Sequence, residues 1–372
     1  MNWPLTIIIA TCVQSVLVIQ LFVEDTARRF TLDENWLGLL AAAETGSAAL
    51  LSLLLFIRPG IVGKALLVIC GLLLFVGNVI SALVTTPEQL LLARILMGGS
   101  AGLICAWAYR AVLSSSDCSR TQALGLMLQS LLLVISFGVI PHLVEHVSFA
   151  LYAVTGVWLL LLLVALFRVR LPVSDAFTPA KPSTPLISGS AVAFFAAVVA
   201  MYASHGAFDT FIAELGSQSG IALTDIGYAM MAACAIGIPA AALAAMIGGK
   251  WGVLQPVLLA VACMLVSMIL LIATEPSVVS FWCVTLFYNF GWVLALPFIV
   301  LASGYFDDEG RSASGLLMMQ ALGMALGAFI SGELAAGFGI STTLLLIVPS
   351  ALIISVGALI LATGREDVSF AG

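Results

Sequence analysis

Long apolar runs separated by short polar gaps set the pattern of this chain. Runs of spanning length fall near residues 4–23, 36–57, 65–85, 88–112, 121–143, 148–168, 187–212, 224–247, 253–273, 278–302, 313–336 and 341–363. About twenty helical residues cross the hydrocarbon core of a bilayer, so the pattern predicts twelve transmembrane helices. The opening MNWPLTIIIATCVQSVLVIQLF lacks both a basic leader and a small-residue cleavage site, and is expected to be a retained first span.

Composition agrees with the pattern. Of 372 residues, 62% are hydrophobic and 9% charged, whereas a soluble domain carries about a quarter charged residues. The formal net charge of −6 matters less than the side on which each charge lies. Alternating the gaps puts Arg58, Lys64, Arg110, Arg120, Arg168, Arg170, Lys181, Lys250, Arg311 and Arg365 on one side. Only Arg28 and Arg29 fall on the other, and Arg94 lies within a span. Basic residues concentrate in cytoplasmic loops, so both termini are expected in the cytoplasm, with a bacterial inner membrane as the setting. The opposite loops are mostly acidic: Glu24, Asp25, Asp33, Glu34, Glu88, Glu145, Asp225 and Glu275.

The chain also repeats itself. RVRLPVSDAFTPAKPSTPLISG is rich in Pro, Ser and Thr and reads as a flexible linker between spans six and seven. RTQALGLMLQ from Arg120 is echoed by RSASGLLMMQ from Arg311, which brings Gln129 into register with Gln320. LDENWLG, ending at Gly38, is echoed at nearly the same offset by ALTDIGY around Gly227. A duplicated six-span unit follows, with bundles at 1–169 and 188–372 joined through 170–187.

Chemistry-bearing motifs are sparse. HLVEH, His142 to His146, matches a zinc-peptidase pattern, but it sits at a span end with no third ligand nearby and is read as a chance match. The seven cysteines lack metal-ligand spacing and are read as small apolar side chains. No nucleotide fingerprint is present and the inner loops are too short for an ATPase domain. Any energy for work must come from an ion or substrate gradient. No enzymatic activity, cofactor, resident metal or nucleic-acid partner is expected.

Arg94, Gly98 and Gly102 in LLLARILMGGSAGLICAW lie close to one helical stripe. The glycines let a neighbouring helix approach, and the arginine must face the protein interior, because lipid offers it no partner. With these residues, twelve spans, a central linker and 6+6 pseudo-symmetry, the sequence resembles the major facilitator superfamily over essentially its whole length. The resemblance implies an all-α membrane protein of two pseudo-symmetric six-helix bundles, in which spans one, four, seven and ten line a central cavity. Arg94 would point into that cavity and couple substrate or proton binding to gating, or else only tie helices together. Gln14, Gln20, Trp107 and Asn289 join it as cavity candidates. The loop signature after span two is degraded: IRPGIVGKALL lacks the family's aspartate, and Asp307, Asp308 and Arg311 are expected to substitute in part. The Gly-x-x-x-Gly-Pro of many antiporters is also missing from span five, so neither export nor import is specified.

Other polar groups stand at membrane depth. Glu44 lies roughly 12 Å below the outer end of span two and Arg94 roughly 9 Å below that of span four, at 1.5 Å per residue. The two can form an ion pair or share water. Burial penalises the carboxylate's charge and the arginine favours it, so Glu44 is either a coupling site for a proton or a structural partner of Arg94. In span seven, Tyr202, His205 and Asp209 share a helical face. The histidine and its carboxylate are a candidate proton acceptor, against the alternative of a helix contact beside a solvated interfacial acid. Gly291 and Pro297 make FYNFGWVLALPF a natural hinge in span ten. The expected function is secondary active transport of a small solute by alternating access, with protons as the coupling ion and a monomeric protein. The alternative is a transporter-like receptor that binds a ligand without moving it. A cavity with few charges suits a small, mainly apolar or zwitterionic solute.

Overall fold

The computed structural model describes residues 3–57, 62–113, 118–144, 146–147, 149–169, 189–247, 251–303 and 311–364, all helix and connecting turns. The linker 170–187 and the aspartates Asp307 and Asp308 lie outside them. In a bilayer each backbone donor and acceptor must be satisfied within its own segment, which is why apolar runs of this length become helices. The first span, Trp3–Phe30, is built from three helical pieces: α1 (Trp3–Thr11), α2 (Gln14–Leu17) and α3 (Ile19–Phe30). Five more spans follow as α4 (Glu34–Ile57), α5 (Lys64–Leu83), α6 (Pro87–Leu113), α7 (Cys118–Val144) and α8 (Ala150–Arg168). The second half holds α9 (Gly189–Gln218), α10 (Leu223–Ile247), α11 (Leu254–Ala273), α12 (Val278–Ser303), α13 (Arg311–Phe338) and α14 (Ile340–Gly364). Among the described residues, twelve spans are long and apolar enough to cross a membrane. The start of the first span and the end of the last therefore lie on the same face, called here the terminal face; the opposite face is the distal one.

Span one departs from expectation twice. It is interrupted at Cys12–Val13 and again at Val18. The local sequence explains the first break, because Thr11 Oγ1 donates to the Ile7 carbonyl at 2.7 Å and Gln14 Nε2 to that of Ala10 at 2.8 Å. Side chains thus compete with the backbone ladder for its acceptors. The span also continues to Phe30, well past residue 23, so Glu24 and Asp25 belong to helix and not to a loop. Glu24 is buried and paired with Arg28, while Arg29 donates to the carbonyls of Ser81, Ala82 and Val84. That arginine closes the carbonyl end of α5, where a cation is favoured. In span ten, α12 runs as one continuous helix through Gly291 and Pro297, the positions of the expected hinge.

The two halves meet chiefly through α4 against α13, α7 against α10, and α3 against α9. Two of these seams depend on glycine. A Cβ on Gly38 would sit 2.6 Å from both the Ala328 carbonyl oxygen and Gly332 Cα; one on Gly227 would sit 2.3 Å from Pro141 Cγ. These are the two glycines in the repeated sequence motif, so the repeat marks where the halves close on each other near the distal face.

The apolar core is asymmetric. One continuous cluster joins the second half to the distal part of the first, through Val18, Phe22, Leu37, Leu40, Phe137 and Ile140. The terminal part of the first half, with Leu5, Ile8, Leu67, Ile104, Trp107 and Leu162, forms a separate cluster, which Leu317 of α13 touches from the other half. The halves are thus fused near the distal face and have separate cores near the terminal one.

Candidate functional site

Helix α6 is positioned on α4 by glycine. A Cβ on Gly98 would lie 1.9 Å from the Glu44 carbonyl oxygen, and one on Gly102 would lie 2.3 Å from that of Ala48. Ser52 Oγ adds a hydrogen bond to the Gly102 carbonyl at 3.2 Å. This close approach brings together two charges that are fifty residues apart in sequence. Arg94 Nη1 lies 3.3 Å from Glu44 Oε2, with the arginine 3% and the glutamate 0% exposed. The guanidinium carbon is 3.6 Å from the Phe22 ring centroid, so aromatic contact adds to the pairing.

Behind the pair is a small cavity of about 10 Å³ lined by Ser15, Val18, Phe22, Asn78, Arg94, Leu151, Tyr152 and Thr155. All of these belong to the first half. Arg94 therefore faces the inside of its own bundle, not the cavity between the halves that the resemblance implies. Gly98 and Gly102 bring α6 against α4, and from the same stripe Arg94 reaches Glu44 while lining the cavity with residues of α2, α3, α5 and α8. Asn78 fixes one wall, donating to the Tyr152 carbonyl at 2.7 Å and accepting from Thr155 Oγ1 at 2.9 Å. Glu44 Oε1, Arg94 Nε, Ser15 Oγ and Tyr152 Oη have no protein partner. Buried polar atoms are normally paired, and a polar cavity is where water can supply the missing bonds.

A second constellation lies between α9 and α12, whose backbones stay apart while rings fill the gap. His205 Nε2 is 3.1 Å from Asp209 Oδ2, one turn along α9. The His205 ring lies nearly parallel to Trp292, with centroids 3.6 Å apart and 15° between the planes. Tyr202 meets Trp292 edge-on at 4.6 Å, and Tyr288 stacks on Phe208 while its hydroxyl lies 3.0 Å from Ser204 Oγ. Asp209 is 7% exposed and therefore not the solvated acid of the alternative reading, because α9 continues past it to Gln218. Gln20 of α3 lies beside Asp209. Gln20 Oε1, His205 Nδ1 and Asp209 Oδ1 are buried without partners.

The remaining candidates scatter. Gln14 bridges the break in span one to α7 through the Gln129 carbonyl at 3.3 Å, with its own Oε1 unpaired. Asn289 donates to the Thr285 carbonyl on its own helix. Trp107 is packed in the separate apolar cluster of the first half, away from both constellations. Arg311 is the first residue of α13, and its side chain lies outside what the structure describes. His142, from the HLVEH run, contacts the Tyr228 hydroxyl of α10 at 2.7 Å and so links the halves at the distal face; Glu145 lies outside the described residues. Asn78, Tyr152, Phe22, Trp292 and Tyr288 were not singled out from sequence. Asn78 carried a signal, as an amide in an otherwise apolar span, whereas the aromatic residues are indistinguishable from core or lipid-facing ones before the helices are packed.

No protein-family model matches the chain, and no curated protein matches it in sequence. Solved structures do match it in fold. The nucleoside transporter NupG superposes with a TM-score of 0.72 at 17% identity, covering 98% of this chain and 100% of that one. A D-xylose-proton symporter gives 0.74 at 15% identity, over 98% and 96%. A bacterial homologue of the human lysosomal transporter Spinster, inward-facing and unoccupied, gives 0.65 at 13% identity, over 98% and 95%. The chain has the fold of the major facilitator transporters. It is built as a multi-pass membrane protein of that architecture.

Proposed function

We propose that the protein is a secondary active transporter that carries a small solute by alternating access and draws energy from a proton gradient. The observation that carries this reading is the buried Glu44–Arg94 pair, in which Glu44 Oε1 is left unpaired while Arg94 lines a small polar cavity. A purely structural ion pair gains most when its remaining hydrogen-bonding positions are filled. A carboxylate that must bind and release a proton needs one side free. Arginine stays protonated throughout, so it serves as a fixed counter-charge to a group that changes.

The asymmetric core supports alternating access. Fusion near the distal face and separate cores near the terminal face fit a state open toward the termini. With both termini in the cytoplasm of a bacterial cell, that state is inward-facing. On this reading 170–187 is the cytoplasmic linker between bundles at 1–169 and 188–372. Arg311 and the neighbouring aspartates act at the cytoplasmic gate. Solved neighbours that carry nucleosides, or D-xylose with protons, are consistent with a small organic cargo.

The test uses purified full-length protein in proteoliposomes containing a pH-sensitive dye. Adding a transported solute under an imposed pH gradient should produce solute-dependent proton movement. Binding of the same solute without flux in either direction would replace the transporter with a receptor. Sidedness is checked with a cysteine introduced at Asp175 in a background stripped of native cysteines, which should be labelled only from the cytoplasmic side.

A further inference from the structure

His205 occupies the position of a ligand. Its flat nitrogen ring covers the Trp292 indole face at 3.6 Å and turns its Nε2 edge to Asp209. Tyr202 closes the slot edge-on against the same indole, and Tyr288 lies parallel to the imidazole at 6.0 Å. At the Nε2 edge of this ring Asp209 Oδ1 is buried without a donor within hydrogen-bond distance, and so is Oε1 of Gln20, whose side chain lies beside Asp209. Asp209 and Gln20 are 7% and 6% exposed. A pocket that offers an indole face and unfilled acceptors is complementary to a planar ring that carries N–H groups at its edge. A pentose has hydroxyl donors but no flat π face, and a quaternary ammonium ion has no donor at all.

We propose that the solute is a planar nitrogen heterocycle with edge N–H donors, of the purine or pyrimidine base type, which displaces His205 from Trp292 and donates to Asp209 and Gln20. The inference rests on the transporter reading, for which it names the substrate class. Spans one, seven and ten each contribute: Gln20 from α3, Asp209 and His205 from α9, Trp292 from α12. Binding from both halves ties occupancy of the slot to the α3–α9 seam, where the halves close.

The test is tryptophan fluorescence and thermal stability of the full-length protein, titrated separately with adenine, uracil, D-xylose and tetraethylammonium. Adenine or uracil should quench fluorescence and raise Tm, while the sugar and the ammonium ion do neither. Trp292→Leu should weaken base binding by about tenfold or more, as expected for loss of a stacking face, while Trp158→Phe leaves it unchanged. His205→Ala should tighten base binding by about tenfold, because the competing ring is gone. It should also create a site for free imidazole that the wild type lacks. If neither base binds the wild type or His205→Ala, or if D-xylose or tetraethylammonium binds in their place, the assignment is overturned. Bases that bind but show no counterflow in proteoliposomes leave the ligand class intact and remove the transport reading. Exchange of D-xylose without base binding does the reverse.

Discussion

The two halves each bury a carboxylate beside a nitrogen base, and the pairs are built differently. In the first half the partners come from two helices, α4 and α6, and meet only because Gly98 and Gly102 remove the side chains between them. In the second half the partners are one turn apart on α9. The first pair uses a permanent cation and faces a polar cavity inside its own bundle. The second uses an imidazole stacked on an aromatic ring and faces the seam, with Gln20 reaching it from the other half. A fixed cation holds one carboxylate inside the first bundle. An imidazole on an indole leaves a slot that another flat ring can take. On the proposed function, the comparison assigns energy coupling to the first bundle and recognition to the seam.

The largest effect expected from breaking this arrangement comes from Gly98→Leu. Its side chain would overlap the Glu44 carbonyl, so α4 and α6 would separate at a cost of about 3 kcal/mol or more, and detergent-stable protein should be lost. Size-exclusion profiles and Tm measure it; a normal Tm would mean the helices are not held by this contact.

Arg94→Ala comes next. It leaves Glu44 buried without its counter-charge, a change that typically costs about 3–5 kcal/mol unless the acid takes up a proton. Stability of this variant should therefore fall, and gradient-driven flux should be abolished. Pairing it with Glu44→Gln should restore most of the lost stability without restoring flux. If the double variant is as unstable as Arg94→Ala, the arginine is tied to the cavity wall and not to the carboxylate.

A smaller effect belongs to the seam. His205→Ala should change ligand affinity about tenfold and leave the acceleration of flux by a pH gradient intact. Loss of that acceleration would put coupling in the second half and collapse the distinction. The smallest effect is expected for Trp107→Phe. Trp107 lies in the separate cluster of the first half, so ligand affinity should not change measurably and Tm should fall by a few degrees at most.

Much of this architecture is legible before folding because the bilayer leaves so few choices. Twelve apolar runs become twelve spans, and the repeat containing Gly38 and Gly227 already marks two positions that later prove to be contacts between the halves. The meeting of Glu44 and Arg94 follows from matched depth, since two opposite charges in one slab of hydrocarbon have few other partners. What depth does not encode is rotation. That Arg94 meets Glu44 on α4 and also lines a cavity inside its own bundle is revealed only by the packed helices. The stack of His205 on Trp292 depends on the angle at which α9 and α12 face each other. The first break in span one comes from Thr11 and Gln14 taking carbonyls from their own backbone, a competition that hydropathy does not register. The extension to Phe30 depends on Arg28 and Arg29 finding partners on α3 and at the end of α5.

The central claim, that Glu44 couples the gradient while the seam recognises the solute, is tested most directly by solute flux into proteoliposomes. Wild type and Glu44→Gln are compared in two modes, counterflow without a gradient and uptake under an imposed pH difference. The account predicts that Glu44→Gln keeps counterflow and loses the response to pH. A Glu44→Gln protein that still accelerates with the pH gradient as the wild type does would contradict it, and would move the coupling site to His205 and Asp209.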